Sequence, residues 1–453
     1  MARAGNRFGM SAIEQLDRTI LLCRDYVSDE VSDASICQSL QSVHVLCVAD
    51  AANLSSHSGQ SCLTTVVSLL SRMGMQVALA IPEVSMIRRQ PPFQGTGLRD
   101  SLLASSDKLI SGATVQEPSS KHKPDLVFVL GDSAREERTC PTWRLSGSEW
   151  HGAITQGAAP VPRWTAEWPI GGMTSAVLAA GEAFKYVMRR LPLRSKEDLV
   201  FFEPSPDSNW NFGSIPVPAR MLDLGAVDFI SGGAISQAAL YALLRLPYVR
   251  IAGRIFDDDV TSQTNFNRNM LTVVSDADLE KVRLVAGRCS PEFNLTPEFQ
   301  RFVAGAPEAR QMAPYVLVGV DDIPSRWQVQ RCTQGILIVS GTSHFSISAS
   351  CHGPGEPCCG CQHPVDDPDG PTAIPTVSFI SFWAGLAMAV RLIRRVVGAS
   401  YSLDRQHLWL TPLRMEQPHA AVWSPVAPRK DCPVRCLAVS ELVSSGAFAS
   451  PPR

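Results

Sequence analysis

The strongest constraint on the fold is a weak internal repeat. A short β-rich run, Val43-His-Val-Leu-Cys-Val48, is followed by small polar residues and a helical stretch over 63–73. The run from Val227 to Ser231 begins 184 residues later and leads through Gly232 and Gly233 into a helix ending near Leu246. Asp125-Leu-Val-Phe-Val-Leu-Gly-Asp132, an apolar run closing on Gly and Asp, has its counterpart in the segment from Tyr315 to Asp322, 190 residues on. The small-residue helix around Ala176–Ala183 is matched around Ala384–Arg391, 208 residues on, and each copy runs into paired arginines, Arg189-Arg190 and Arg394-Arg395. Short apolar strands alternating with helices specify α/β units on a parallel sheet, and three landmarks in the same order specify two copies. The segment 192–220 carries five prolines and a polar SPDSNWN stretch, which reads as a linker. The expected division is 1–191, a linker at 192–220, a second domain at 221–440, and a tail at 441–453.

Composition narrows the function classes. The 453 residues carry 41 basic and 43 acidic side chains, a net charge of −2, with no run of five like charges. Nucleic acid and membrane surfaces are therefore not expected partners. The apolar stretch 376–390 is too short for a span of about 20 residues and runs into three arginines, so a buried helix is expected. The N-terminus has no signal-like apolar segment. Thirteen cysteines, mostly single within apolar runs, suggest a reducing, cytoplasmic setting.

The second copy carries charged residues in a pattern. Ser231-Gly-Gly-Ala-Ile-Ser236 sits where a phosphate-binding glycine turn would open a helix, with only Gly233 in place of the usual three glycines. An anion-binding turn and a plain strand–helix turn both fit it. The next strand, 250–256, ends in Asp257-Asp258-Asp259, and Asn265, Arg268 and Lys281 follow. An acid there suits a ribose hydroxyl. Two cations close by suit the negative charge of a departing pyrophosphate.

This D-x-D, N-x-x-R, lysine series resembles the ThiF/MoeB/HesA superfamily, which includes ubiquitin-activating enzymes. The resemblance implies two Rossmann-like ThiF-type domains forming an intramolecular pseudo-dimer, with an inactive N-terminal domain and an active C-terminal one. It implies that Gly232, Gly233, Asp257, Asp259, Asn265, Arg268, Lys281 and Asp321 bind ATP, with Asp321 on Mg²⁺. Asp17-Arg18 resembles the family's opening segment, whose arginine reaches into the partner domain, so Arg18 is an expected catalytic residue. The implied reaction is adenylation of the C-terminal carboxylate of a ubiquitin-like protein, with a thioester and transfer to a conjugating enzyme as the further steps that some family members take. The same motifs would serve a sulfur carrier, a peptide or a tRNA-linked carboxylate, and a non-catalytic scaffold is the remaining alternative.

Cys358, Cys361, Cys432 and Cys436 form two pairs suited to a structural Zn²⁺, as the resembling families often carry, with Cys359 as an alternative ligand and free thiols or a redox pair as the other readings. The loop 362–376, where family members carry the thioester cysteine, has none. Cys351, beside His352, is then the candidate, with Cys359 second.

Overall fold

The computed structural model describes residues 12–120, 123–134, 140–157, 159–213, 215–217, 221–365, 373–398 and 406–436. The expected tail at 441–453 lies outside them. Two mixed sheets account for the strands. The first contains β1 (His44–Val48), β2 (Gln76–Ala80), β3 (Val115–Gln116), β4 (Leu126–Leu130), β5 (Thr142–Gly147), β6 (His151–Gln156) and β7 (Asp207–Asn211) in the order β3-β2-β1-β4-β5-β6-β7. The second contains β8 (Leu222–Ile230), β9 (Val249–Phe256), β10 (Phe293–Glu298), β11 (Tyr315–Val318), β12 (Ile336–Ser343), β13 (Ser346–His352), β14 (His407–Leu410) and β15 (Ala421–Ser424) in the order β10-β9-β8-β11-β12-β13-β14-β15. Strand for strand the first seven orders coincide. In each copy the first five strands run parallel and the next two antiparallel. The fold is therefore α/β with two Rossmann-like halves, and the three sequence landmarks are equivalent elements of each. β4 (LVFVL) is buried throughout, the signature of a strand covered on both faces.

Eight helices are used below: α1 (Asp17–Arg24), α2 (His57–Arg72), α3 (Ile170–Met188), α4 (Lys196–Phe201), α5 (Ala234–Arg245), α6 (Lys281–Cys289), α7 (Ile323–Cys332) and α8 (Ser378–Val396). α2 and α3 of the first half meet α5 and α8 of the second, and one continuous hydrophobic core runs through all four. Close crossings need small residues. A Cβ on Gly172 of α3 would fall 2.4 Å from the Ser58 carbonyl of α2, and one on Gly385 of α8 would fall 2.4 Å from Ala238 of α5. The apolar run 376–390 is thus the buried α8, and no described helix is long and apolar enough to cross a membrane.

The expected linker is corrected. Described residues within 192–220 include α4 and β7, which pairs antiparallel with β6. Phe201 and Phe202 join Tyr26 and Phe184 of the first half against Phe345 of the second, with ring centroids 5.1–6.4 Å apart. Prolines marked turns here, and an edge strand reading DSNWN has no apolar alternation to announce it.

Candidate active site

The carboxyl ends of β8, β9 and β11 surround a cavity of about 520 Å³ at the point where strand order reverses, the crevice where open α/β sheets hold ligands. Ser231, Gly233, Asp257, Asp259, Asn265, Arg268, Lys281 and Asp321 line it, and Arg18 enters from the first half.

The turn after β8 departs from the glycine pattern in a physically coherent way. Ser231 holds the left-handed backbone that a glycine usually takes, φ 95°, and its Oγ accepts the Gly233 N–H at 2.9 Å. Ser236, standing where the third glycine would allow close helix–strand packing, is accommodated because Gly319 lies opposite: a Cβ there would sit 3.0 Å from Ser236 Oγ. α5 follows Gly233 as its N-cap with no side-chain cap, and Gly233, Ala234 and Ile235 line the cavity, so the positive end of the helix dipole lies beside it, suited to an anion. α2, its counterpart, is capped by Ser56. In the first half Asn53 bridges Asp50, Asp132 and Ser133, and Arg163 pairs with Asp132. A cavity of about 500 Å³ opens at the start of α2, lined by Ser56, His57 and Arg163, without the acid and lysine series of the second half.

Asp257 is committed to the turn on two sides. Its Oδ2 accepts the Gly232 N–H at 2.7 Å and its Oδ1 the Asp259 N–H at 2.9 Å, which leaves each oxygen further lone-pair capacity for a ligand. The Gly232 amide is therefore spent on Asp257 and Gly232 does not line the cavity, a correction to its expected phosphate contact. Burial raises the Asp257 carboxyl above its ordinary range, against the pull of Lys281 and those two N–H groups. Lys281 Nζ lies 2.6 Å from Asp259 and 4.0 Å from Asp257. The Arg268 guanidinium donates to the Thr264 carbonyl at 2.6 Å and to Asn267 Oδ1 at 2.8 Å, with Asp17 of the first half at 3.8 Å. Burial lowers its pKa to about 10, so it stays charged at neutral pH. Asn265 closes a capping box with Ser262. Arg18 Nη1 donates to the Ile374 carbonyl at 3.1 Å.

Of the two acids after β11, Asp322 caps α7 by accepting the Ser325 N–H at 2.7 Å, and Asp321 lines the cavity. The capping role thus falls to the neighbour. The fit to a hard cation is good: one carboxylate beside a cavity with room for phosphate oxygens. Sequence reasoning did not find Arg301, Phe302, Thr342, Ile374, Thr376 or Ser381, which also line the cavity. Nor did it find Gln237, whose buried amide donates to the Gly232 carbonyl at 2.9 Å and accepts the Leu271 N–H at 3.1 Å. None carries a spacing signal, because these residues lie on segments remote in sequence from the charged motif.

The four paired cysteines converge. Cys358, Cys361, Cys432 and Cys436 offer Sγ atoms all within 4.8 Å of one another, and no disulfide joins them. Cys358–Cys432 and Cys361–Cys436 are each 3.3 Å apart. A tetrahedral Zn²⁺ with ~2.3 Å bonds needs sulfurs about 3.8 Å apart, so the cage fits. The Cys432 thiol, despite burial, is brought down to about 7 by the Cys436 N–H and the Cys358 thiol. Cys359 is no ligand: its Sγ faces the Arg326 carbonyl at 3.5 Å. Metal analysis is expected to find about one zinc per chain, reduced together with thermal stability in Cys432→Ser. A well-folded preparation without metal rejects the site.

The thioester candidates are corrected by their placement. Cys351 is 2% exposed on β13, receives Arg395 Nε at 2.9 Å, and has its pKa raised by burial. His352 bonds Ser350 and the Pro357 carbonyl instead. Cys359 is 1% exposed. Neither lines the cavity. Residues 366–372 of the cysteine-free loop 362–376 lie outside those described.

Residues 42–198 match the family model described as the BilD N-terminal domain, a match confined to the half without the charged motif. No curated protein matches. Among solved structures, a crystal structure of E. coli MccB with selenomethionine MccA is similar at 14% identity and a TM-score of 0.39, over 46% of this chain and 66% of that one.

Proposed function

We propose that this chain is an ATP-dependent activating enzyme that adenylates the C-terminal carboxylate of a ubiquitin-like protein. The observation that carries the reading is the gathering, around one cavity at the switch point, of four cations, Arg18, Arg268, Lys281 and Arg301, with the acids Asp257, Asp258 and Asp259 on one side and Asp321 and Asp322 on another, one of the cations being supplied by the other half. The choice of a ubiquitin-like substrate rests on the resemblance of the motif series.

In this reading Asp257 takes the ribose hydroxyls, and the uncapped start of α5 with Arg268, Lys281 and Arg18 faces the triphosphate. Asp321 would hold Mg²⁺, which supplies charge neutralisation across the phosphate oxygens when bound. A carboxylate oxygen of the substrate attacks the α-phosphorus and the bond from that phosphorus to the α,β-bridging oxygen breaks. Pyrophosphate departs with the bond's electron pair, leaving an acyl-adenylate. Charge accumulates on the departing oxygens, where preorganised cations lower the barrier most. The proposal stops at the adenylate, since the described residues place no accessible thiol at the cavity.

ATP–pyrophosphate exchange with ubiquitin-like proteins, sulfur carriers and short peptides tests it. Exchange dependent on a ubiquitin-like protein is the expected result; exchange with a peptide alone reassigns the substrate, and none with any carboxylate removes the enzymatic reading. Asp321→Asn should raise the magnesium concentration needed for half-maximal exchange by about tenfold. An unchanged magnesium dependence would leave Asp321 without a metal role.

A further inference from the structure

The half without the motif holds the motif's backbone in place. Arg72, in the last turn of α2, is wholly buried and reaches into the second half. Its Nη1 donates to the Phe266 carbonyl at 2.6 Å, and its Nη2 to the Met270 carbonyl at 3.1 Å and the Thr272 carbonyl at 2.7 Å. Nε points to Ser68 Oγ at 3.3 Å. The stretch 266–272 is irregular chain between two short 3-10 turns, so no strand or α-helix takes up these carbonyls. Three carbonyls converge on one planar fork only if the backbone is bent around it, and Arg268 sits inside that bend. Gln237 of α5 secures the same stretch from the other side through the Leu271 N–H and the Gly232 carbonyl.

The arrangement has a mirror image. Arg245, ending α5 as Arg72 ends α2, crosses back to donate to the Pro91 carbonyl at 3.1 Å. The exchange is reciprocal, but only Arg72 arrives at the segment bearing cavity-lining side chains.

We infer that Arg72 is a positioning residue for triphosphate recognition: it fixes the 266–272 backbone so that Arg268 and Asn265 meet the phosphates. The inference rests on the nucleotide reading above, and its test separates the two. Full-length protein and the variants Arg72→Met and Arg72→Lys are titrated with magnesium ATP and with adenosine, and amide hydrogen exchange is followed in parallel. Arg72→Met should weaken magnesium ATP at least ~10-fold while adenosine changes less than ~3-fold, because a small displacement is felt by the phosphates and not by the nucleoside. Arg72→Lys, keeping the charge but not the fork, should fall between and carries the test where the methionine variant does not fold. Amides of 266–272 should exchange faster while those of α5 stay protected.

Equal weakening of both ligands with a general loss of protection would make Arg72 an ordinary core residue, and unchanged protection of 266–272 would overturn the inference outright. Wild-type protein that binds neither ligand removes the nucleotide reading, and with it the triphosphate role. Hydrogen exchange then still decides whether Arg72 holds the segment.

Discussion

Lys281→Ala is expected to lower adenylate formation about 10²–10³-fold while lowering the melting temperature only modestly, the lost pairing with Asp257 being partly offset by better helix geometry. The fold side of this follows from where the residue stands. Lys281 is the first residue of α6, where the helix dipole disfavours a cation by some tenths of a kcal/mol. It stays there because Asp259 and Asp257 compensate it, at 2.6 and 4.0 Å. Alanine relieves the dipole conflict and has the best helix propensity. The chemical side runs the other way. Without the ammonium, two carboxylates remain unopposed beside the path of a polyanion, so ground-state binding and transition-state stabilisation fall together. Arg268→Ala should lose exchange comparably, with more cost to the fold, since its guanidinium also closes on the Thr264 carbonyl. Near-normal exchange in both variants, or a Lys281→Ala protein that simply unfolds, would sink the assignment of these cations.

The parts of the site legible in sequence share one property: they lie at strand ends or at short fixed distances from them. Asp257 and Asp259 follow β9, Asp321 follows β11, and Asn265, Arg268 and Lys281 come within 24 residues of Asp257. Local spacing becomes spatial proximity because parallel strands deliver their carboxyl ends to one edge. The illegible parts act through backbone groups of distant segments. Arg72 reads as an ordinary basic residue in the last turn of a helix, and Gln237 as a polar residue in an apolar one. Nothing in either neighbourhood announces the carbonyls and N–H groups they satisfy. The same blindness explains Cys351, where adjacency to His352 suggested an activated thiol. On a strand neighbouring side chains point to opposite faces, and the two have separate partners. The glycine turn erred in the opposite direction: it looked degraded in sequence, yet Gly319 across the sheet restores the close approach that Ser236 would have blocked.

A chain beginning at Met221, which keeps the whole charged motif of the second half, is expected to be insoluble or unfolded and to show no exchange. The packing gives the scale. Phe345 and Phe379 lie in the continuous core with first-half rings as neighbours, Phe184 at 5.6 and 5.7 Å. Trp423 stacks on Trp210 at 6.4 Å with planes 8° apart. Uncovering even two such rings costs roughly 3–6 kcal/mol at about 1.5–3 kcal/mol each. Truncation also strips the apolar faces of α5 and α8 that meet α2 and α3. It also leaves the carbonyls of Phe266, Met270 and Thr272 without Arg72, so the segment that carries Arg268 loses the fork that fixes it. Together with the uncovered rings, the exposed helix faces bring the loss to the scale of the roughly 5–15 kcal/mol that holds a domain folded. Supplying residues 1–220 as a separate chain should restore soluble protein, because the interface is the core itself. The measurement is co-expression of the two pieces followed by gel filtration and exchange. A second half that is monomeric, cooperative in melting and fully active alone would show that Arg18 and Arg72 contribute nothing to the site, and would undo the pseudo-dimer as a functional unit.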